Sequence, residues 1–355
     1  MIKNLQSLRF VFCMLIFVFH YTGMTHASYV FTYGGDAGVA FFFMLSGFAL
    51  SVGHGRKKGG AEEALAPFLL RRFRKLYPLH LAALIAAVAW AAYIGKPFEP
   101  GYFVAQTAML QTWLLTTDCN LYGNAVSWFL CPLFLCYALF QWLYRNIMRR
   151  TWTVGFRCIF VAYLVAYTSV GLFSDADIDG FVYAFPPVRV IDFVVGILAY
   201  RLYSSPSGDR IRRRVSAMNT VQATIAEFCI VLVCVATWCI YPSVCMPVRF
   251  SAMFWLPFSV TILWFAFAEG GRGMLSRLFR QRTMVWLGGI SFEIYMIHLI
   301  SISLCSAVYG KIFGYYNQNL YLLFVCCLVV TVFAAYTVNR VEERLFRKPV
   351  MKSGI

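Results

Sequence analysis

Residues 5–23 read LQSLRFVFCMLIFVFHYTG, an apolar stretch long enough to cross a membrane as a single helix. Two ionisable residues interrupt it, Arg9 near its start and His20 toward its end. In a helix their spacing is about three turns, so both side chains project from one face with Cys13, roughly 16 Å apart along the axis. A charge in hydrocarbon costs roughly 2.5–3.5 kcal/mol on insertion scales. We therefore expect this face to point toward protein or water and to line a path through the protein.

The rest of the chain has the same apolar character. Of its 355 residues, 61% are hydrophobic and only 13% are charged. One soluble domain cannot hide that much apolar surface from water. The sequence therefore predicts an all-α, polytopic membrane protein, with no appended soluble domain. Because Arg9 and His20 interrupt the first run, we do not expect a cleaved signal peptide there.

Ten apolar runs have the length and character of membrane spans. They lie at about Leu5–Met24, Asp36–Gly53, Leu76–Ile94, Ala125–Tyr144, Phe156–Phe173, Val188–Tyr203, Val221–Ile240, Ser251–Ala268, Met284–Val308 and Asn319–Asn339.

The segments between these runs alternate in charge. Lys and Arg are concentrated after every second run, whereas the other loops hold only Lys96, Arg249 and Lys311, and one of them, Ser174–Gly180, is acidic. The positive-inside rule then predicts about ten helices with both termini in the cytoplasm. The net charge of +16 is accounted for by this topology and by contact with anionic membrane lipids, so no nucleic-acid partner is expected.

The twelve cysteines fall mostly inside apolar runs, where they behave as small core residues. Because no cysteine or histidine cluster has metal-ligand spacing, no metal site is expected. Cys119 and Cys245 fall in loops predicted to be external, and the sequence leaves open whether they pair. The longest external segment, Gly95–Asn124, contains an apolar patch too short to span, which predicts either an interfacial or re-entrant lid or a simple connector.

Two further patterns involve the second and third runs. Ser46 and Gly47 lie in the middle of the second run, where small residues permit close helix packing or a kink beside a channel. The stretch RRFRKLYP precedes the third run, and its residues Arg71 and Arg74 share a face if the stretch is helical. Paired guanidinium groups suit phosphate, although membrane anchoring explains the charge equally well.

Three motifs resemble those of the acyltransferase family 3 integral membrane proteins: LRFVFCMLIFVFH, GVAFFFMLSGF and RRFRKLYPLH, in this order and spacing. The resemblance continues through AVSWFLCPLFLCY, RVIDFVVGILAY, ISFEIYMIHL and VEERLFRKPV, and so covers nearly the whole chain. It implies a single transmembrane acyltransferase domain over residues 1–355, located in the bacterial plasma membrane. Such proteins transfer an acyl group, usually acetyl, from cytoplasmic acyl-CoA to a hydroxyl of an extracytoplasmic glycan. Polysaccharide-assembly proteins are further expected partners.

The resemblance also implies roles for individual residues. His20 would be the general base that removes the proton of the acceptor hydroxyl, although a histidine inside a bundle can also serve only as a hydrogen-bonding residue. Arg9, Arg71 and Arg74 would bind the phosphates or carbonyls of acetyl-CoA. Tyr77 and Ser46 are expected along the same donor site.

Two departures from the family pattern affect these roles. Many relatives have an acidic residue where this sequence has Ala40, which leaves Asp36, one turn earlier, as the candidate partner of His20. The fourth run lacks the paired glutamates of one branch, which makes the chain more similar to members that act on polysaccharides or oligosaccharides.

The remaining intramembrane ionisable residues allow more than one interpretation. Glu293 is a candidate second catalytic or acceptor-binding residue, because a carboxyl group at that depth must be protonated or paired. Arg189 and Asp192 are spaced for an internal ion pair. Glu227 is expected to extend to the membrane surface. Trp128 is a candidate for stacking on an acceptor sugar, although an interfacial aromatic belt explains it as well.

The competing functional class is a transporter or flippase of a polysaccharide unit, because a bundle with inward-facing charges also builds a conduit. Transport needs no CoA site, so acetyl-CoA binding separates the two classes.

Overall fold

The computed structural model describes residues 2–25, 34–56, 63–149, 183–244, 246–314 and 319–346, together with residues 152, 156, 157, 159 and 161. All regular structure in these residues is helical, and eight helices are long and apolar enough to cross a membrane. The expected all-α membrane architecture is therefore confirmed. The fifth predicted run, Phe156–Phe173, and the acidic segment after it lie mostly or wholly outside the described residues. The count of ten spans and the cytoplasmic termini stay predictions.

The helices follow the predicted runs closely and depart from them at three places. They are α1 Lys3–Thr25, α2 Gly34–Gly55, α3 Leu65–Tyr93, α4 Pro100–Thr107, α5 Thr117–Leu121, α6 Leu130–Arg149, α7 Pro186–Tyr203, α8 Pro206–Ala217, α9 Thr220–Ile240, α10 Met246–Arg249, α11 Trp255–Phe267, α12 Met274–Phe279, α13 Arg282–Gly289, α14 Ser291–Phe313 and α15 Leu320–Phe346.

The first departure is that α3 begins at Leu65, so the basic stretch before the third run is part of the helix. The second is a break at Ile290, which divides the ninth run into α13 and α14. Gly288 lies beside this break and packs against the backbone of Gln6, where a Cβ atom would collide with the carbonyl oxygen. The break thus coincides with a close contact between α13 and α1.

The third departure is the segment between α3 and α6, which returns into the helix bundle. Gln106 is fully buried, and its side-chain nitrogen donates to the carbonyl of Cys119 (2.7 Å) while its side-chain oxygen accepts from Ser127 (2.9 Å). Its carbonyl oxygen lies 2.9 Å from Nε2 of His80, a buried residue of α3. Because a buried amide needs its hydrogen bonds satisfied, this network holds the segment inside the bundle. It is therefore more than a connector.

Close helix crossings form the core. The rings of Phe12 in α1 and Phe41 in α2 stack with centroids 3.6 Å apart. In the next crossing Gly47 of α2 packs against the backbone of Phe193 in α7, and Gly196 of α7 packs against the backbone of Met44. A Cβ at either glycine would collide with a backbone carbonyl oxygen. Gly47 therefore serves helix packing, which was one of the two interpretations of this position.

Glu227 is completely buried, which contradicts the expectation that it extends to the membrane surface. Its carboxylate accepts hydrogen bonds from the backbone N–H groups of Leu275 (2.7 Å) and Ser276 (3.1 Å), at the first turn of α12. These N–H groups have no acceptor within the helix, so the glutamate caps it.

Cys119 is buried and forms no disulfide with another cysteine among the described residues. Burial raises the pKa of this thiol, which lies outside the candidate spans. Cys245, its suggested partner, is outside the described residues.

Candidate active site

The polar face of α1 points toward α14, as its two ionisable residues predicted. Halfway along it, Sγ of Cys13 donates to the carbonyl oxygen of Ser291, 3.4 Å away. Arg9 and His20 are half-buried at opposite ends of this face. The two positions therefore define an Arg9 end and a His20 end of one site.

A second histidine stands beside His20. The ring centroids of His20 and His298 are 5.1 Å apart, with an angle of 42° between the planes. Nδ1 of His298 lies 2.6 Å from the carbonyl oxygen of Tyr295, and its Nε2 is buried without a partner among the described residues. A carbonyl oxygen can only accept, so the hydrogen-bond geometry assigns the proton of neutral His298 to Nδ1. Nε2 then keeps a lone pair in the vicinity of His20.

His298 is held in place by α14 and its neighbours. Tyr295, one turn earlier, donates from its hydroxyl to the carbonyl oxygen of Val126 (2.8 Å), which belongs to the segment that returns into the bundle. Asn124 of the same segment donates to the carbonyl oxygen of Met296 (2.9 Å). The returning segment therefore braces α14 at the level of the histidine pair.

The Arg9 end gathers cations around one buried acid. Arg9 interacts electrostatically with Glu293 and Arg72, and Lys75 interacts with both Arg9 and Glu293. The guanidinium of Arg72 also lies 5.5 Å from the ring centroid of Tyr137. Arg9 makes no hydrogen bond or ion pair with any described residue, so its donors are free for a ligand.

Glu293 is only 5% exposed. Its Oε1 accepts from Nδ2 of Asn339 in α15 (2.6 Å), and its Oε2 has no partner among the described residues. The structure thus places Glu293 with Arg9 and not beside His20. Glu342 of α15 is half-buried and interacts with both Glu293 and Lys75. Arg9, Arg72 and Lys75 still outnumber these two acids, so this end carries net positive charge, which suits phosphate groups.

The structure brings Arg72 and Lys75 to Arg9 instead of the predicted pair Arg71 and Arg74. Arg71 forms an ion pair with Glu63 and keeps 59% of its side chain exposed, and Arg74 is exposed as well. Both pairs have helical spacing on neighbouring sides of α3; Arg72 is half-buried, whereas Lys75 is exposed, as Arg71 and Arg74 are. The sequence could not show which side faces inward.

Tyr77 and Ser46 have no described contact with Arg9. Tyr77 is half-buried and stacks on Phe73, with ring centroids 4.2 Å apart. Ser46 donates to the carbonyl oxygen of Phe42 in its own helix (2.7 Å). Their expected place in the donor site stays a prediction.

Asp36 is not brought to His20. Its carboxylate accepts a hydrogen bond from the hydroxyl of Tyr241 and makes none with His20. Trp128 is only 7% exposed, so it is not a surface residue, and its ring lies 4.8 Å from that of Tyr183. Among the described residues, His298 and not Asp36 is the polar neighbour of His20.

The predictions from the sequence did not include His298, Arg72, Lys75 and Asn339 among the site residues. A signal existed for His298, because it shares a helical face with Ser291 and Tyr295. No comparable signal existed for Asn339, which reaches Glu293 from a separate helix.

These observations define a multi-pass membrane protein in which one helix face carries a cationic end and, farther along, one member of a histidine pair. The family model described as an acyltransferase domain, Acyl_transf_3, matches residues 2–340. The chain therefore belongs to acyltransferase family 3, and it is a membrane acyltransferase, as the motifs predicted. Acyltransferase MdmB of Streptomyces mycarofaciens is 25% identical over 301 residues, which cover 80% of this chain and 72% of that protein. No solved structure matches the chain.

Proposed function

We propose that this protein transfers an acetyl or other short acyl group from cytoplasmic acyl-CoA to a hydroxyl of an extracytoplasmic glycan in the bacterial plasma membrane. The observation that carries the proposal is the placement of His20 against His298 on the same face of α1 that presents Arg9, roughly 16 Å away along the axis. A donor and an acceptor that enter from opposite sides need such a separation. Polysaccharide-assembly proteins remain proposed partners, because they would deliver the acceptor.

The donor would bind at the Arg9 end. Arg9, Arg72 and Lys75 supply guanidinium and ammonium donors for the phosphates of acetyl-CoA, and guanidinium groups bind phosphate oxygens in bidentate fashion. The pantetheine arm would extend along the face of α1 past Cys13. This arrangement would bring the thioester to His20 and hold it in position for attack.

The transfer step would take place at the histidine pair. His20 accepts the proton of the acceptor hydroxyl while the hydroxyl oxygen attacks the carbonyl carbon of the thioester. The C–S bond then breaks, and the CoA thiolate leaves and takes the proton back from His20. The lone pair on Nε2 of His298 can accept a hydrogen bond from the ring N–H of His20, which would orient the other nitrogen toward the hydroxyl.

Acetyl transfer by the purified protein in nanodiscs tests the proposal. Radiolabelled acetyl-CoA serves as donor, and alkali-deacetylated envelope glycan from the host serves as acceptor. We expect His20→Ala, which removes the general base, to lower transfer by about 10²–10⁴-fold, and His298→Ala, which removes only the residue that orients His20, to lower it less. His54→Ala is the matched control, because His54 lies in the last turn of α2 and packs against Phe140 and Tyr144, away from the histidine pair. Undiminished transfer by His20→Ala would refute the mechanism.

The transporter or flippase alternative predicts no acyl donor site. Membership in the family and the free donors of Arg9 favour acyl transfer. Equilibrium binding of labelled acetyl-CoA separates the two classes, since a transporter would show no saturable binding that depends on Arg9. Mass spectrometry of envelope glycans from cells with and without the protein would then identify the group transferred and its acceptor.

A further inference from the structure

A second polar cluster lies around Asp36 in the first turn of α2, and its other residues come from the start of α7, from the end of α10 and from the turns beside these two helices. The carboxylate of Asp36 accepts a hydrogen bond from the hydroxyl of Tyr241, and the hydroxyl of Tyr183 also lies within hydrogen-bonding reach. Arg189 and Arg249 both interact electrostatically with this carboxylate. We call these five residues the Asp36 cluster.

Arg189 is completely buried, yet one of its nitrogens is unused. Its Nε donates to the carbonyl oxygen of Tyr183 (2.5 Å), and its Nη1 donates to Asp192 (2.8 Å) and to the carbonyl oxygen of Phe250 (3.1 Å). Its Nη2 has no partner among the described residues, and neither has the buried Nε of Arg249. An unpaired buried donor costs about 1–3 kcal/mol, and more when it is charged. Both atoms therefore have a donor capacity that no described residue uses.

Asp192 explains why Arg189 keeps this geometry. Besides the ion pair with Arg189, its carboxylate accepts from the hydroxyl of Ser251 (2.5 Å) and from the indole N–H of Trp255 (2.7 Å). The Arg189–Asp192 ion pair expected from the sequence is therefore present. The ion pair fixes the orientation of the guanidinium group, and Nη2 is then the nitrogen without an acceptor among the described residues.

A series of aromatic rings joins the Asp36 cluster to the histidine pair. Tyr183 lies 4.8 Å from Trp128, which is 6.5 Å from Phe129. Phe129 lies 5.7 Å from Tyr295, which is 5.9 Å from His298. All four are distances between ring centroids. The cluster and the catalytic pair thus share one aromatic wall.

We propose that the Asp36 cluster binds the acceptor as a subsite for a hydroxyl-rich sugar ring, with one hydroxyl directed along the aromatic wall to His20. The inference rests on the proposed function, because it assigns an acceptor site to that reaction. A carboxylate accepts from sugar hydroxyls, a guanidinium donates to their oxygens, and aromatic faces cover the apolar side of the ring. A carboxylate with free guanidinium donors does not suit an acyl chain, and Asp36 disfavours the phosphates of the donor.

Two binding measurements test the subsite. Deacetylated envelope glycan is titrated calorimetrically into the protein in nanodiscs without acetyl-CoA, and acetyl-CoA is titrated separately. We expect Asp36→Asn to weaken glycan binding at least tenfold and to leave acetyl-CoA binding within twofold of wild type. Tyr183→Phe, which keeps the ring and removes the hydroxyl, should weaken glycan binding less and serves as the second variant if Asp36→Asn does not fold. Asp209→Asn is the matched control, because Asp209 is exposed on α8 and pairs with Arg212.

The outcomes separate this inference from the proposed function. Glycan binding that depends on Asp36, in a protein that transfers no acetyl group, would support the subsite and refute the proposed reaction. Acetyl transfer by the wild type with glycan binding unchanged in both variants would refute the subsite alone. Equal loss of glycan and acetyl-CoA binding in a folded Asp36→Asn protein would show a purely structural cluster and would also overturn the inference.

Discussion

At the scale of single residues, the partner of His20 matters most for the chemistry. A carboxylate in that position would increase the basicity of the imidazole, whereas the lone pair of His298 orients it without adding a charge. The free Nε2 of His298 is therefore consistent with a base that must return its proton to the leaving thiolate.

The donor end offers a comparison within one helix. We expect Arg72→Gln to raise the acetyl-CoA concentration for half-maximal transfer by about 10–100-fold, because a hydrogen bond to a charged group contributes roughly 1.5–3 kcal/mol. Arg74→Gln removes the same charge from an exposed position and should change it by less than about threefold. The measurement is initial rate against acetyl-CoA concentration. Equal effects of the two substitutions would show that only the net charge of α3 matters.

Asn339 is predicted to stabilise the fold through Glu293. Replacing Asn339 by Ala leaves the buried carboxyl group without the hydrogen bond at Oε1, which should lower the free energy of unfolding by about 1–3 kcal/mol. Thermal unfolding in detergent measures the change. Asn146→Ala is the control, because the side chain of Asn146 donates to the carbonyl oxygen of Trp142, one turn earlier in the same helix, in an exposed hydrogen bond. No difference between these variants would contradict the role of Asn339.

At the scale of elements, the crossing of α2 and α7 depends on glycine at two positions. Gly196→Ala should destabilise the protein by more than about 1–3 kcal/mol, because its Cβ would force two helix backbones apart. Gly53→Ala in α2 is the matched control, since a Cβ there meets no atom within 4 Å and alanine favours helix by roughly 0.5–1 kcal/mol. Thermal unfolding of both variants should therefore change in opposite directions. Equal stability would mean that the crossing is loose.

The element scale also shows how far sequence patterns reach. Hydropathy identified the ninth run, but the break at Ile290 was not visible, because neighbouring glycines are also common inside membrane helices. The break lies next to the close contact between Gly288 and the backbone of Gln6, a contact between segments far apart in the sequence. The start of α3 was also not visible: the basic residues before the third run were grouped with the segment between two runs, and the structure includes them in the helix.

At the scale of the whole molecule, the alternation of charge predicts that both termini are cytoplasmic. Fluorescent reporters that mature only in the cytoplasm should be active when fused to either terminus. A phosphatase that is active only outside should work when inserted at Lys96, in the loop between α3 and α4. Activity of the phosphatase at the C-terminus would contradict the topology and would reverse the assignment of the donor and acceptor ends.

Hydropathy, charge alternation and motif spacing depend on residues that are close together in the sequence. The sequence was therefore enough to identify the membrane helices, the family and the Arg9–His20 face. The rotation of each helix about its axis depends on packing between segments far apart in the chain. For this reason only the tertiary structure showed that Arg72 and Lys75 face Arg9, that His298 stands beside His20, and that Asp36 belongs with Tyr241.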